Sequence, residues 1–271
     1  MRPHIEFIPS QWLPWRSDAL GGARPGTQAR VLSRDADDGA CSLIVRYPAG
    51  YERGGEWLDV DEEFIVLAGQ IEVDGVSYGR LDYAHLPRGL PRSGQRSAAG
   101  AEVLTFFSAE PRAHASPPPG FDAARLVRRI DTRATAGMTG PRRHMASEGF
   151  RHEGTVHKLL FDDPLTHDKT WLAGLPPGWC CDTVERHPVC EEEFALAGDI
   201  HMPNGVMYTG AYFWRPADVP HGPFGTEGGT LHLCRGKGGL YATRFEPATR
   251  PFRWDPPYDP ILPEEYRAYV R

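Results

Sequence analysis

The chain repeats itself, and this constrains its fold more than any other feature. Residues 62–69 read EEFIVLAG, and residues 192–198 read EEFALAG after a further glutamate at 191. Setting Gly69 on Gly198 gives an offset of 129 residues, which carries Glu62 onto Glu191 and Glu56 onto Glu185. The same offset carries Ile71 onto Ile200, Tyr83 onto Tyr212, Pro87 onto Pro216 and Pro91 onto Pro220. Upstream, YPAGY (47–51) parallels LPPGW (175–179), and VDGVSY (73–78) parallels PNGVMY (203–208) after a one-residue shift. Collinear matches at a constant spacing mean a duplicated domain.

Each copy reads as short strands separated by turns. The first holds SLIVRY, EEFIVLAG, QIEV and EVLTFF; the second holds VHKLLF, EEFALAG, DIHM, VMYTGAYFW and TLHLCR. Asp-Gly and Asn-Gly between apolar residues predict type I′-like hairpin turns in both copies. The 30 glycines and 26 prolines favour turns over long helices. Many short strands with frequent turns imply an all-β sandwich or barrel with few short helices. The linker is placed within 109–150, where EPRAHASPPPGF cannot enter a central strand, so the domains are set at 1–115 and 116–271. FDAARLVRRI reads as a short helix or a lead-in strand. LPEEYRAYVR reads as a C-terminal helix with Pro263 in its first turn.

A net charge of −6 and a pI near 6.0 disfavour a general nucleic-acid binder. No apolar run approaches the roughly 18 residues of a membrane span, and the N-terminus lacks the apolar stretch of a secretory signal. Cys41, Cys180, Cys181, Cys190 and Cys234 are odd in number and form no CxxC pair. A reducing cytoplasm is therefore expected, and the excess of arginine over lysine suggests a bacterial source. The phosphate-binding loop, the GxGxxG turn, the GxSxG elbow and HExxH are all missing, which weakens nucleotide, hydrolase and zincin readings.

The second copy reads Glu185-Arg-His187-Pro-Val-Cys-Glu191, then six residues to Gly198, then RPADVPHGP with His221. This pattern resembles the two motifs of the cupin (RmlC-like) superfamily in its duplicated, bicupin form. EEFALAGDI and RPADVPHGP are similar to the branch that includes ChrR-like proteins and acetylacetone-dioxygenase-like enzymes. The resemblance implies two tandem cupin jelly-roll (double-stranded β-helix) barrels, and a homodimer. It also implies a metal held by histidines and one glutamate. Glu185 stands where the family pattern has its first histidine.

Independently of any family, alternate residues of a strand share a face, so Glu185, His187 and Glu191 converge, and a barrel would bring His221 opposite them. Two imidazoles and a carboxylate leave open positions on a divalent metal, with Fe favoured and Zn, Mn or Ni possible. Glu185 is either a fourth ligand or a group behind the ligands, including a catalytic base. A bulge could turn Glu192 inward in place of Glu191; the spacing to Gly198 favours Glu191. In the first copy Leu58 and Arg92 replace His187 and His221, so that barrel is expected to hold no metal, with Arg92 offsetting the charge of Glu62. His232, Tyr212, Trp214 and Phe224 are candidate substrate-pocket residues, each with plain packing as its alternative. His157, His201, Cys190 and the Cys180–Cys181 pair read as packing or surface residues, and Pro141–His144 as solvated loop.

These features favour a mononuclear non-haem metal enzyme acting on a small organic substrate. By resemblance, its most concrete form is O₂-dependent cleavage of a diketone or hydroxyaryl ketone. The alternatives are a non-redox isomerase, lyase or cyclase, and a non-catalytic small-molecule sensor.

Overall fold

Each segment read as a strand from the repeat carries strand in the computed structural model, which describes residues 1–139, 146–147 and 154–270. Pro141–His144 lies outside the described residues. The chain divides into two compact units, one of Met1–Arg2 with Leu13–Thr135 and one of Pro3–Trp12 with Ala136–Arg271.

In the first unit a six-stranded antiparallel sheet runs in the order Val127–Asp131, Asp82–Leu86, Glu62–Gly69, Ala101–Phe107, Cys41–Tyr47, Gln28–Arg34. A second sheet joins Tyr51–Arg53, Gln95–Ser97, Ile71–Val73 and Val76–Tyr78, and a third joins Pro91–Arg92, Glu56–Leu58 and Ala113–His114. Leu43, Val45, Phe64, Val66, Ile71 and Val103 share one buried core, and the burial of such apolar side chains is the main stabilising term.

The second unit repeats this order. Ile5–Pro9, Ala211–Arg215, Cys190–Met202, Thr230–Lys237, Lys169–Leu175 and Val156–Asp162 are neighbours in its large sheet. A smaller sheet joins Ala146–Ser147, Ala242–Pro247 and Thr183–Arg186. Both units are jelly-roll barrels built almost wholly of strands.

The units differ in where the edge strand comes from. In the first it is Val127–Asp131, which pairs with Asp82–Leu86; in the second it is Ile5–Pro9, which pairs with Ala211–Arg215. The division by contacts therefore falls at Thr135/Ala136, not at residue 115, and the N-terminal strand leaves its neighbours in sequence. Backbone groups at an open sheet edge need partners, and these segments supply them.

Gly69 and Gly198 show why the repeat keeps a glycine there. Their φ values are +72° and +80°. A Cβ would lie 2.2 Å from the carbonyl oxygen of Gly100 in one copy and 1.8 Å from that of Gly229 in the other. The turns differ between copies. Asp74 and Gly75 have φ of +51° and +76°, as a type I′ turn requires. In the second copy Met202 pairs with Gly205, so the turn residues are Pro203 and Asn204. Proline cannot take the positive φ of a type I′ turn, so that expectation is corrected. Asn204 instead donates its amide to the Asp259 carbonyl at 2.9 Å.

FDAARLVRRI forms both a 3₁₀ turn, Ala123–Arg125, and the strand Val127–Asp131. The C-terminal helix spans only Glu264–Arg267, with Pro263 as its N-cap residue. No described helix is long and apolar enough to cross a membrane.

Candidate metal centre

Glu185 lies near the end of the strand Thr183–Arg186, and the chain then bends through 187–189 before Cys190–Met202 begins. The expected single alternating strand is thus two strands with a bend between them. His221 pairs directly with Glu185: the Glu185 N–H donates to the His221 carbonyl at 2.8 Å, and the return bond is 3.1 Å. Backbone pairing therefore brings the two motifs together.

Glu185, His187 and His221 each offer one donor atom, all within 4.8 Å of one another, a group able to hold a metal ion. The Nε2 atoms of His187 and His221 are 3.2 Å apart. Glu191 lies equally close to both, with Oε1 3.4 Å from His187 Nε2 and Oε2 3.4 Å from His221 Nε2. Glu185 is farther, at 4.0 and 3.8 Å. All four residues are buried or nearly so.

Each imidazole is oriented by the backbone. His187 Nδ1 meets the Ala242 carbonyl at 3.1 Å, and His221 Nδ1 meets the Val219 carbonyl at 3.0 Å. A carbonyl only accepts, so both Nδ1 atoms carry a proton and both Nε2 atoms face inward, that of His187 also lying 3.0 Å from the Tyr241 hydroxyl. Burial, then the positive charge of Arg215, pushes the His221 pKa down to about 3, so this ring stays neutral. The two Nε2 atoms thus face each other with the Glu185 and Glu191 carboxylates beside them. The donor set therefore fits a divalent ion.

Two residues missed in the sequence complete the centre. The Tyr241 hydroxyl donates to Glu191 Oε1 at 2.6 Å, and its ring stacks on His187 with centroids 4.5 Å apart. Tyr241 precedes a strand in an irregular segment, where no periodicity marks it. Arg215 lies 3.3 Å from Glu191 Oε2 and holds both oxygens of Glu6 through Nε, at 2.9 and 2.8 Å. Burial raises the Glu6 carboxyl, but the charge of Arg215 with bonds from His4 and Arg215 outweighs it, leaving a pKa of about 2. Arg215 carried a readable signal: it pairs in register with Glu191, so the two share a face.

The same register corrects two pocket candidates. Glu192 pairs with Trp214, and the Tyr212 hydroxyl donates to Glu192 at 2.8 Å. Tyr212 and Trp214 thus lie on the sheet face opposite Glu191, with Glu192 and its partner Arg235. Glu191, not Glu192, faces the histidines. His232 belongs to the inner face. Its Nδ1 meets Glu193 Oε2 at 2.8 Å, and its buried Nε2 has no hydrogen-bond partner among the described residues. Phe224 packs on Trp179, with centroids 5.5 Å apart, in an apolar cluster with Phe213 and Cys181. His157 and His201 are buried, and His201 is engaged by Trp254 and Asp199. A cleft of about 360 Å³ is lined by Val184 and Gly222, the sequence neighbours of Glu185 and His221, and by Met202, Pro223 and Phe252.

In the first barrel the matching glutamates meet a guanidinium. Arg24 donates to both oxygens of Glu62 at 2.9 and 2.8 Å and to Glu56 at 3.3 Å. Arg92 also reaches Glu62, at 3.3 Å, so the expected offset is present, but Arg24 is the closer partner. Burial raises Glu62, and Arg24 followed by Arg92 brings it below the ordinary carboxylate range. Arg24 sits in the loop ALGGARPGT, which carries no strand pattern and so gave no sign of it.

Residues 11–243 match the family described as "Domain of unknown function (DUF4437)". The chain belongs to this family. No curated protein matches the chain. Among solved structures this DUF4437 member is similar to a Nostoc punctiforme protein assigned provisionally as a dioxygenase. That similarity has a TM-score of 0.75 and 17% identity, over 88% of this chain and 84% of the other. It is also similar to a point mutant of Bacillus subtilis oxalate decarboxylase, with a TM-score of 0.57 and 15% identity, over 88% and 78% of the two chains. A structure of that decarboxylase at pH 4.6 gives 0.53 and 16%, over 88% and 78%. These likenesses show that the chain shares its two-barrel β fold with those proteins.

Proposed function

We propose that the second barrel binds one divalent metal, iron by preference, through His187, His221 and Glu191, with Glu185 at its edge. On this reading the protein is a mononuclear non-haem dioxygenase of the ChrR-like bicupin branch. Its substrate is a small diketone or hydroxyaryl ketone that presents two oxygens. The observation that carries the reading is the pair of imidazoles with facing Nε2 atoms 3.2 Å apart beside two carboxylates.

When bound, such an ion supplies Lewis acidity and an open coordination position. The chain's own residues do the rest. Arg215 and Tyr241 hold Glu191 by one oxygen each. The apolar cluster of Trp179, Phe213 and Phe224 excludes water and limits substrate size. His232, held by Glu193, presents its Nε2 to a substrate hydroxyl.

The test is metal analysis of the purified protein with oxygen uptake on a panel of β-diketones and hydroxyaryl ketones. Uptake that disappears in His187→Ala together with the metal supports the proposal; uptake that survives in that variant rejects it. A non-redox lyase or isomerase is the second reading. It is favoured by Glu185, which stands 3.8–4.0 Å from the imidazoles, far enough to accept a substrate proton. Turnover under strictly anaerobic conditions would select it.

A further inference from the structure

Glu62 and Glu191 hold the same repeat position, and each is buried with a guanidinium beside it, but the two guanidinium groups sit differently. In the first barrel Arg24 Nη2 donates to both oxygens of Glu62 at 2.9 and 2.8 Å, and Nη1 reaches on to Glu56 at 3.3 Å. Arg24 thus bridges the counterparts of Glu191 and Glu185, the two carboxylates of the candidate metal centre. In the second barrel Arg215 stops short. Its Nη1 lies 3.3 Å from Glu191 Oε2, just past the usual hydrogen-bond range.

Glu6 holds Arg215 back. The Arg215 Nε donates to both Glu6 oxygens at 2.9 and 2.8 Å, and Nη2 donates to Oε1 as well. Two of the three guanidinium nitrogens are thereby directed at Glu6. The guanidinium carbon also lies 3.6 Å from the centre of the Phe213 ring. His4 supports Glu6 from the other side, with Nε2 3.1 Å from Oε2. Glu6 belongs to Ile5–Pro9, which pairs with the strand that ends at Arg215, so the edge strand brings the anchor to the arginine. In the first copy Leu86 pairs with Glu62 where Arg215 pairs with Glu191, so this arrangement belongs to the second copy.

Glu6, Arg215 and Glu191 are 5%, 3% and 4% exposed. A guanidinium at that depth needs a carboxylate. With the charge of Glu6 removed, Glu191 is already within 3.3 Å, while Glu193 is engaged by His232 at 2.8 Å. Arg215 then closes on Glu191 as Arg24 closes on Glu62, and a fixed cation competes for the carboxylate that faces the two histidines.

We propose that Glu6 is a positioning residue that keeps Arg215 off Glu191 and so leaves that carboxylate free for a divalent metal. This role rests on the metal centre proposed above.

The experiment measures Zn(II) affinity of the full-length chain by competition with a calibrated chelator. Wild type is compared with Glu6→Gln, with the double variant Glu6→Gln, Arg215→Met, and with His187→Ala. Glu6→Gln should weaken Zn(II) binding by about tenfold or more. Adding Arg215→Met should bring affinity back to within about threefold of wild type, because the competing cation is gone. A merely structural Glu6 gives the opposite order, with the double variant no better than the single. Unchanged affinity in Glu6→Gln, or a double variant as weak as the single, overturns the proposal and leaves the metal centre standing. If Glu6→Gln does not fold, the double variant decides alone, and affinity more than about tenfold below wild type rejects the role. Wild type that binds no Zn(II), or binding that His187→Ala leaves intact, removes the centre and this role with it.

Discussion

His187 and His221 present their Nε2 atoms to each other at 3.2 Å, each with its Nδ1 on a backbone carbonyl. Neither ring can turn to relieve the approach without losing its carbonyl bond. A divalent ion should therefore stabilise the fold as well as occupy the site. At about a hundredfold excess over Kd the linkage is about 2.7 kcal/mol. Thermal unfolding of the chelated chain should shift upward with added Fe(II), Mn(II) or Zn(II). The shift should vanish in a His187→Ala, His221→Ala double variant; equal shifts in both proteins would defeat the assignment.

Tyr241 positions Glu191 without being a ligand candidate itself. Tyr241→Phe removes the 2.6 Å bond to Glu191 and keeps the stacking on His187. Metal affinity should fall by about tenfold or more, while unfolding of the chelated protein changes little. Competition with a calibrated chelator measures the first quantity. Unaltered affinity would show that Glu191 needs no such support.

Arg24 gives the first barrel a resident cation between Glu56 and Glu62. Elemental analysis should find one divalent ion per chain, not two. Arg24→Met should destabilise the chain by about 3–5 kcal/mol, because it leaves buried carboxylates under-compensated. Adding Glu62→Met should recover part of the loss. Denaturant unfolding of the single and double variants tests this; a double variant less stable than the single would contradict it.

Glu6 ties stability to acid pH. Its folded pKa of about 2 lies below the ordinary 4.5, so between these values the unfolded chain binds a proton that the folded chain does not. The stabilisation is fully present above about pH 4.5 and is lost as pH falls toward about 2, a contribution on the order of 3 kcal/mol. Glu6→Gln should lower stability at neutral pH and flatten the acid limb. Urea midpoints at about pH 6 and about pH 3.5 give the comparison, and parallel losses in the two proteins would exclude Glu6 as the source.

The amino-acid sequence by itself determined the duplication, the strands and the motif residues, because these are local or periodic. Glu62 and Glu191 share a repeat position, Gly69 and Gly198 mark the same close approach, and alternation explains why Glu191 and not Glu192 faces inward. Tertiary structure alone decided which distant groups complete each centre. Arg24 comes from an irregular loop, Tyr241 from the segment before a strand, and Glu6 from an edge strand that joins the far unit. Nothing periodic marks any of them. Their roles come from burial, which makes an unpartnered charge too costly to leave alone, and so selects whatever counter-charge the folded chain can bring within reach.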